Sequence, residues 1–268
     1  KLISGDGAAF PVVSGVPIVV ENPDAIDVYS RQSAAMIESY SEVNVDRQKR
    51  FLRQMSRRFL TNSFQNPVGE ETLQQSVAEV GEAGVCLSVG GGPVRNHPLL
   101  LNLNIGPFPN VDIVGDAHKL PFADESVDVV HSDAVFEHLH TPWVAAAEIA
   151  RILKVGGKAF IHTPFLQPYH GFPHHYQNFT ITGHKLLFER EGLKVLKAGV
   201  GVGPSFVFRK LGVGYLNAYL PKPLALVMKI PWFFLTRLLA PLDIWINRRE
   251  DAHIYASTTF VLVEKPQP

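Results

Sequence analysis

The sequence lacks most of the features that place a protein in a class at once. Its only cysteine is Cys86, which excludes an internal disulfide or a cysteine zinc cluster and fits a reducing compartment. It has no net charge: 25 Lys plus Arg balance 25 Asp plus Glu. No global field therefore draws the chain to nucleic acid or to an anionic bilayer, and any charged partner is met locally. There is no internal repeat and no low-complexity tract. The most apolar stretch, Leu216 to Ile246, is broken by Pro221, Pro223, Pro231 and Pro241 and by Lys222, Lys229 and Arg237, which argues against an ordinary membrane span. No secretory signal is visible, and because the chain opens on Lys1 its true start is not read from it. The expected location is cytoplasmic, with membrane association as an open alternative.

What is present is ordinary for a globular chain. At 268 residues, with 46% hydrophobic and 19% charged residues, it can bury a sizeable core as one large α/β domain with appendages. The opening AAFPVVSGVPIVV alternates β-branched runs with Pro and Gly and reads as a hairpin ending near Glu21. From Tyr29 to Leu60 the spacing becomes helical. There Phe51, Met55 and Phe59 recur every four positions, while Arg50, Arg53 and Arg57 share another face, either solvated or facing an acidic substrate or membrane surface.

From Glu70 the pattern alternates helix and strand. A helical stretch runs to about Glu82, and strands are expected at Val85 to Val89, Leu99 to Ile105, Val111 to Val114, Val127 to Ser132, Lys158 to Thr163 and Leu193 to Val200. Pro142 opens a helix through Leu153 that Gly156-Gly157 ends, and Thr180 caps another closed by Gly192. A last strand, Ser257 to Val263, follows a long Pro-broken helical insertion at about 211–250. This predicts a Rossmann-like, doubly wound sheet of seven mostly parallel strands. The expected division is an N-terminal hairpin and helical appendage at 1–65 and one domain at 66–268.

In such a sheet ligands sit beyond the carboxyl ends of the strands. After the first strand, Gly90-Gly91-Gly92 lets backbone approach a ligand, and a following helix would aim its N–H groups there; a plain tight turn is the competing reading. Arg95 occupies the third glycine position of the dinucleotide fingerprint, which disfavours a nicotinamide cofactor. After the second strand Asn104 stands where nucleotide sites place an acid, and after the third Asp116 can accept from an exocyclic amine or simply form a turn.

VCLSVGGGP, NLNI, GDAHKLPF, VDVVHSDAVFEHL and EIARILKVGGKAFIHTPF occur in this order. Together they resemble the class I S-adenosylmethionine-dependent methyltransferases, most closely the branch called type 11. The resemblance covers about Val85 to Glu191, with Ser257 to Lys265 similar to the family's last, antiparallel strand. It implies methyl transfer from S-adenosylmethionine to a small or lipid-like acceptor. It assigns Gly90, Gly91 and Gly92 to the methionine part of the cofactor, Asn104 with Ile105 to the ribose, and Asp116 with Ala117 to the adenine. Ser132 and Asp133 would lie beside the sulfonium, and Glu137-His138 would be structural, with His138 fixing a helix start. Ser88, Val94 and Asn104 depart from the family pattern, each at a position usually acidic or small. A non-catalytic scaffold of the same fold is thus the alternative function.

TPFLQPYHGFPHHYQNFT, after the fifth strand, is placed to cover an acceptor, and His174, His175, His170 and Tyr169 are its candidate catalytic bases. No metal is expected at His174 and His175, because adjacent side chains diverge and no cysteine supports them. The insertion, with Trp232, Phe233, Phe234 and Trp245, reads either as core or dimer packing or as a cap for an apolar acceptor in peripheral contact with a membrane. AAFPVVSGVPIVV also resembles the second half of a Trm112-like zinc ribbon without its cysteines, which implies a hairpin and no zinc.

Overall fold

The computed structural model describes residues 2–3, 9–13, 15–20, 66–92, 95, 97–171 and 174–267. The helix expected over Tyr29 to Leu60, with its arginine face, lies outside them, as does Val94.

Two short hairpins come first: β1 (Leu2–Ile3) with β2 (Ala9–Phe10), and β3 (Val12–Val13) with β4 (Val16–Val19). Helix α1 (Val68–Val80) leads into β5 (Cys86–Val89), β6 (Leu100–Asn104), β7 (Ile113–Gly115) and β8 (Val127–Asp133). Then come α2 (Pro142–Ile152), β9 (Leu153–Pro164), α3 (Ile181–Glu189) and β10 (Lys194–Val202). Helices α4 (Pro204–Tyr219), α5 (Lys222–Leu239) and the short α6 (Asp243–Ile246) precede β11 (Thr258–Glu264). The main sheet has the order β10-β11-β9-β8-β5-β6-β7-β4-β3. Strands β5 to β9 pair in parallel, and β11 runs antiparallel to both neighbours. The seven expected strands thus form a Rossmann-like α/β sheet, which the N-terminal hairpin extends by pairing β4 in parallel with β7.

The central strands are buried on both faces, so they read as apolar runs rather than alternations. On one face Leu73 and Val77 of α1 pack on Cys86, Leu100 and Val129. On the other, Ala145, Ala146 and Ile149 of α2 join Phe136, Phe188 and the inward residues of β5, β8 and β9. Arg151 at the end of α2 donates to both oxygens of Glu148, to Asp124 and to the carbonyls of Leu120 and Phe122, at 2.7–3.0 Å. This fastens the segment between β7 and β8 to the helix.

Three expectations are corrected. The chain enters β9 directly at Leu153 instead of leaving the helix at Gly156-Gly157, because Leu153 pairs with Val127 and the next residues form a bulge where Gly156 takes a φ of 79°. The helical insertion begins at Pro204 rather than 211. Pro231 does not break α5: the helix continues through it to Leu239, losing one backbone donor. Thr180 caps α3 as expected, its Oγ1 accepting from the Gly183 N–H at 3.1 Å.

His184 on α3 is fully buried between Thr163 and Thr259, whose hydroxyls lie 3.2 Å from Nδ1. Burial pushes its pKa down to about 3, from 6.5. Below pH 6.5 the unfolded ring binds a proton that the folded ring refuses, so stability is complete above that pH and falls by up to ~1.4 kcal/mol per pH unit beneath it. Urea denaturation at pH 6.5 and pH 5 should show this loss, and His184→Leu should flatten it; an unchanged slope would assign the acid sensitivity elsewhere.

Candidate functional site

The glycine turn after β5 is shaped by what surrounds it. Gly90 and Gly92 have φ of 77° and 61°, a region costly for residues with a Cβ. A Cβ on Gly90 would overlap the Val135 side chain, and one on Gly91 would lie 2.5 Å from Asn102 Oδ1 and 2.7 Å from Ser88 Oγ. Asn102 donates to the carbonyls of Gly92 and Asn110, at 3.0 and 2.9 Å, and so ties the turn to the segment before β7. Arg95 closes the same side, donating to both Asp112 oxygens at 2.7 and 2.8 Å and to the Leu100 carbonyl at 2.6 Å. Although burial alone would raise the pKa of Asp112, Arg95 and the Asn102 N–H bring it below the usual carboxylate value.

No described residue between Gly92 and Leu100 is helical. Residues 93, 94 and 96, on which the helix expected after the turn also falls, lie outside the described residues. On the far side of the turn a Cβ at Gly92 would meet nothing within 4 Å among the described residues.

The other strand ends differ in what they offer. Asn104 is buried, and its Oδ1 already accepts the Gly106 N–H at 3.1 Å, so one lone pair remains for a ligand hydroxyl. Ile105 is half-buried beside it. The Asp116 side chain keeps 45% of its surface exposed, while its Oδ1 accepts from the His118 N–H at 2.9 Å and lies 2.7 Å from His118 Nδ1. Desolvation raises its pKa less than the His118 contacts lower it, so Asp116 is ionised at neutral pH. Ala117 is packed in the core. Ser132 is fully buried with its Oγ unpartnered, whereas the Asp133 side chain is 52% exposed at the end of β8.

Asp133 is paired in register with His162 of β9. Its Oδ1 lies 2.6 Å from His162 Nδ1, and His162 Nε2 lies 2.5 Å from Thr258 Oγ1, which accepts the Val202 N–H at 2.7 Å. Gly201 makes room for the ring, since a Cβ there would overlap it. Desolvation would raise the Asp133 pKa, but His162 brings it below the ordinary carboxylate value. The pair lines a cavity of about 210 Å³ with Glu70, His131, Gly201 and Phe260. The sequence motifs do not single out His162 or Thr258. The one signal available is a His in IHTPF, two residues from the end of a buried strand.

The predicted bases lie elsewhere. His175 Nδ1 accepts from the His170 N–H at 3.2 Å, and its Nε2 lies 2.7 Å from Asn178 Oδ1, so both nitrogens are engaged within the loop. Tyr169 stacks on that ring and is exposed, as is His174. None of the four lines the cavity beside Asp133. His138 does not fix a helix start: its Nδ1 donates to the His174 carbonyl at 2.5 Å and so holds the loop after β9. Gln177 does the same through the carbonyls of Phe136 and Leu139.

A second, apolar cavity of about 370 Å³ lies across the Val202–Pro204 corner, lined by Leu166, Val207, Leu211, Leu239, Ile246 and others. Buried Asp243 at its wall accepts from the Ser205 hydroxyl at 2.5 Å, and burial raises its pKa. The α4–α5 hairpin above it is held by Trp232, which sits over Gly212 and 4.7 Å from the Phe208 ring.

Gly90→Ala should lose ~1–3 kcal/mol of stability, from overpacking at a left-handed position. In a double-mutant cycle Val135→Ala should recover part of that loss. Strict additivity in urea denaturation would mean that Val135 is not what excludes a side chain there.

Residues 96–161 match the family model described as "Methyltransferase domain". A methyltransferase of Mycobacterium marinum, itself uncharacterised, is 35% identical over 105 residues, which are 32% of this chain and 41% of that protein. One from Mycobacterium avium is 45% identical over 53 residues, 19% of this chain and 21% of that protein. The matched region is thus less than half the length of these relatives. Among solved structures, a chain of the Haloferax volcanii complex that contains the Trm112 methyltransferase activator aligns over 80% of this chain and 93% of its own, at 17% identity and a TM-score of 0.48. The resemblance to the methyltransferase domain stands on sequence over residues 96–161, the part of the chain that runs from the segment before β6 to the middle of β9.

Proposed function

We propose that this chain is an S-adenosylmethionine-dependent methyltransferase acting on a lipid-like acceptor at an oxygen or nitrogen atom. The observation that carries the reading is that the methyltransferase-domain match, residues 96–161, covers β6 to most of β9 and takes in Asp116 and Asp133 at strand ends, with His162 the first residue beyond it. S-adenosylmethionine supplies an electrophilic methyl group on a sulfonium sulfur. The residues present fit it: the backbone at Gly92, one remaining acceptor on Asn104 and the ionised, exposed Asp116 would hold the methionine, ribose and adenine parts. Ser88 and Asn104 carry no charge where an acid would accept a charge-assisted hydrogen bond. Each such bond is worth on the order of 1–3 kcal/mol, so Asp116 carries much of the grip.

Asp133 accepts the acceptor's O–H or N–H and orients it in line with the methyl. When the acceptor is methylated, the proton it loses would pass to Asp133. His162 is a positioning residue that holds Asp133 ionised between turnovers.

The acceptor is lipid-like because of the hairpin above the apolar cavity. Between Glu191 and Asp243 the chain carries Lys194, Lys197, Arg209, Lys210, Lys222, Lys229 and Arg237 and no acidic residue. Leu226, Phe234, Leu238 and Trp245 are each more than 60% exposed. The span Lys222–Ile246 has a mean hydropathy of 1.4 over its best 18-residue window and only 11% of that window is buried. Cations with exposed aliphatic and aromatic side chains match an anionic bilayer surface, where such a helix lies in the interface. An acceptor tail would enter the 370 Å³ cavity directly from that surface.

S-adenosylhomocysteine titrated by calorimetry should bind, and Asp116→Ala should weaken it at least about tenfold. No heat and no thermal shift at millimolar ligand would remove the enzyme reading in favour of a scaffold. With radiolabelled methyl donor and a total bacterial lipid extract, Asp133→Asn should lower label incorporation by about 10²-fold or more at unchanged cofactor affinity.

In a separate measurement, the protein should co-sediment with phosphatidylglycerol vesicles and far less with phosphatidylcholine vesicles. Leu238→Glu combined with Trp245→Glu should abolish this. Vesicle-independent dimers in sedimentation velocity, absent from the same variant, would assign the face to a second copy of the chain.

A further inference from the structure

We propose that Glu137, His138 and His170 form a binding site for a divalent transition-metal ion of the zinc class, where the turn after β8 meets the loop after β9. Glu137 is fully buried, with 0% of its surface exposed, and neither carboxylate oxygen has a hydrogen-bond partner. A buried carboxylate without donors is strongly unfavourable, so a cation belongs beside it. Two imidazole nitrogens face it: His138 Nε2 and His170 Nε2 each lie 3.7 Å from Glu137 Oε1, beyond hydrogen-bond length.

The far side of each ring fixes which nitrogen carries the proton. His138 Nδ1 lies 2.5 Å from the His174 carbonyl, and His170 Nδ1 lies 3.0 Å from the Pro168 carbonyl. A carbonyl oxygen only accepts, so both Nδ1 atoms carry a proton and each ring turns its Nε2 towards the carboxylate. With a cation bound, both Nε2 atoms would present lone pairs, and together with Glu137 they offer it three ligand atoms. An Nδ1–H bonded to a backbone carbonyl with Nε2 directed inward is the usual support of a metal-bound histidine.

The ligand atoms lie within 4.8 Å of one another. Tetrahedral bonds of ~2.0–2.1 Å place ligands ~3.3 Å apart, so two of the three separations need to close by only a few tenths of an ångström. Two imidazoles and one carboxylate suit zinc or cobalt better than magnesium or calcium. His170 is partly exposed, so a fourth position stays open to water or to an acceptor oxygen. The His174-His175 pair is not the ligand set. His174 lends its carbonyl to His138, and His175 holds the His170 backbone through Nδ1.

The test uses the full chain, stripped with chelator and titrated with zinc chloride by calorimetry, with cobalt as a spectroscopic probe. One ion per chain is expected, with the visible bands of a four-coordinate cobalt site and a rise in melting temperature. His170→Ala, at the exposed edge, should weaken zinc roughly tenfold or more and remove the thermal shift, while His253→Ala, remote from the cluster, should leave both unchanged. Glu137→Gln should weaken zinc at least as much, and circular dichroism decides whether it folds. If it does not, His138→Gln takes its place. A parent chain that binds no zinc, or a His170→Ala variant that binds it as the parent does, would overturn the proposal and leave Glu137 neutralised by protonated histidines.

Discussion

Burial of β5, β8 and β9 on both faces, in parallel register, is the constraint on which the other parts of this structure depend. Parallel strands leave no turn between neighbours, so every connection must cross the sheet and every strand must end on the same side. The core between the sheet and its helices is apolar, while the strands also bury polar groups such as Ser88, Asn102, Asn104, His131 and Ser132 towards their carboxyl ends. Asp133 and His162 are therefore brought together by register alone: they end adjacent strands, are Cα partners, and project to one face. A one-residue slip in β9 would send His162 to the opposite face and leave Asp133 without its partner. The bulge at Gly156 is where that register is set, because it absorbs the extra residues between Leu153 and Lys158.

The same constraint explains why the glycine turn has two meanings at once. A tight turn and a ligand-approaching loop both need a left-handed backbone, and in this chain Val135, Asn102 and Ser88 pack so closely that glycine is required at Gly90 and Gly91 for fit alone. At Gly92 no neighbour among the described residues demands glycine, and the positive φ alone does so. Asn102 and Arg95 hold the turn against β6 and the segment before β7 by hydrogen bonds.

Much of the fold is legible in the sequence. Strand positions follow from short β-branched runs bounded by Gly and Pro, and Thr180 and Pro142 mark helix starts because capping chemistry is local. The misreadings are also local. Gly156-Gly157 reads as a helix stop because a bulge inside a strand carries the same two letters as a C-cap. Pro231 reads as a breaker because nothing in the sequence states that Trp232 seats the helix over Gly212. The site is less legible. Asp116 is identified by its neighbours in sequence, but His162 and Thr258 meet across 96 positions, and no periodicity links them. The histidines of the loop after β9 stand out by density, yet density says nothing about which rings face inward.

That loop connects the parts of the molecule that chemistry would use together. It leaves β9 two residues after His162, passes Leu166 along the apolar cavity, and is held to the turn after β8 by His138, Gln177 and the Tyr176 N–H, which donates to the Glu137 carbonyl at 2.8 Å. One short segment thus borders the end of β9, the cavity below the hairpin and the buried carboxylate of Glu137. It is held by side-chain and backbone donors to carbonyls and by Phe165 and Phe179, which pack on the hydrophobic clusters at its two ends. Leu166 lines the apolar cavity and His162, four residues earlier, lines the cavity beside Asp133, so the end of β9 is the stretch that reaches both.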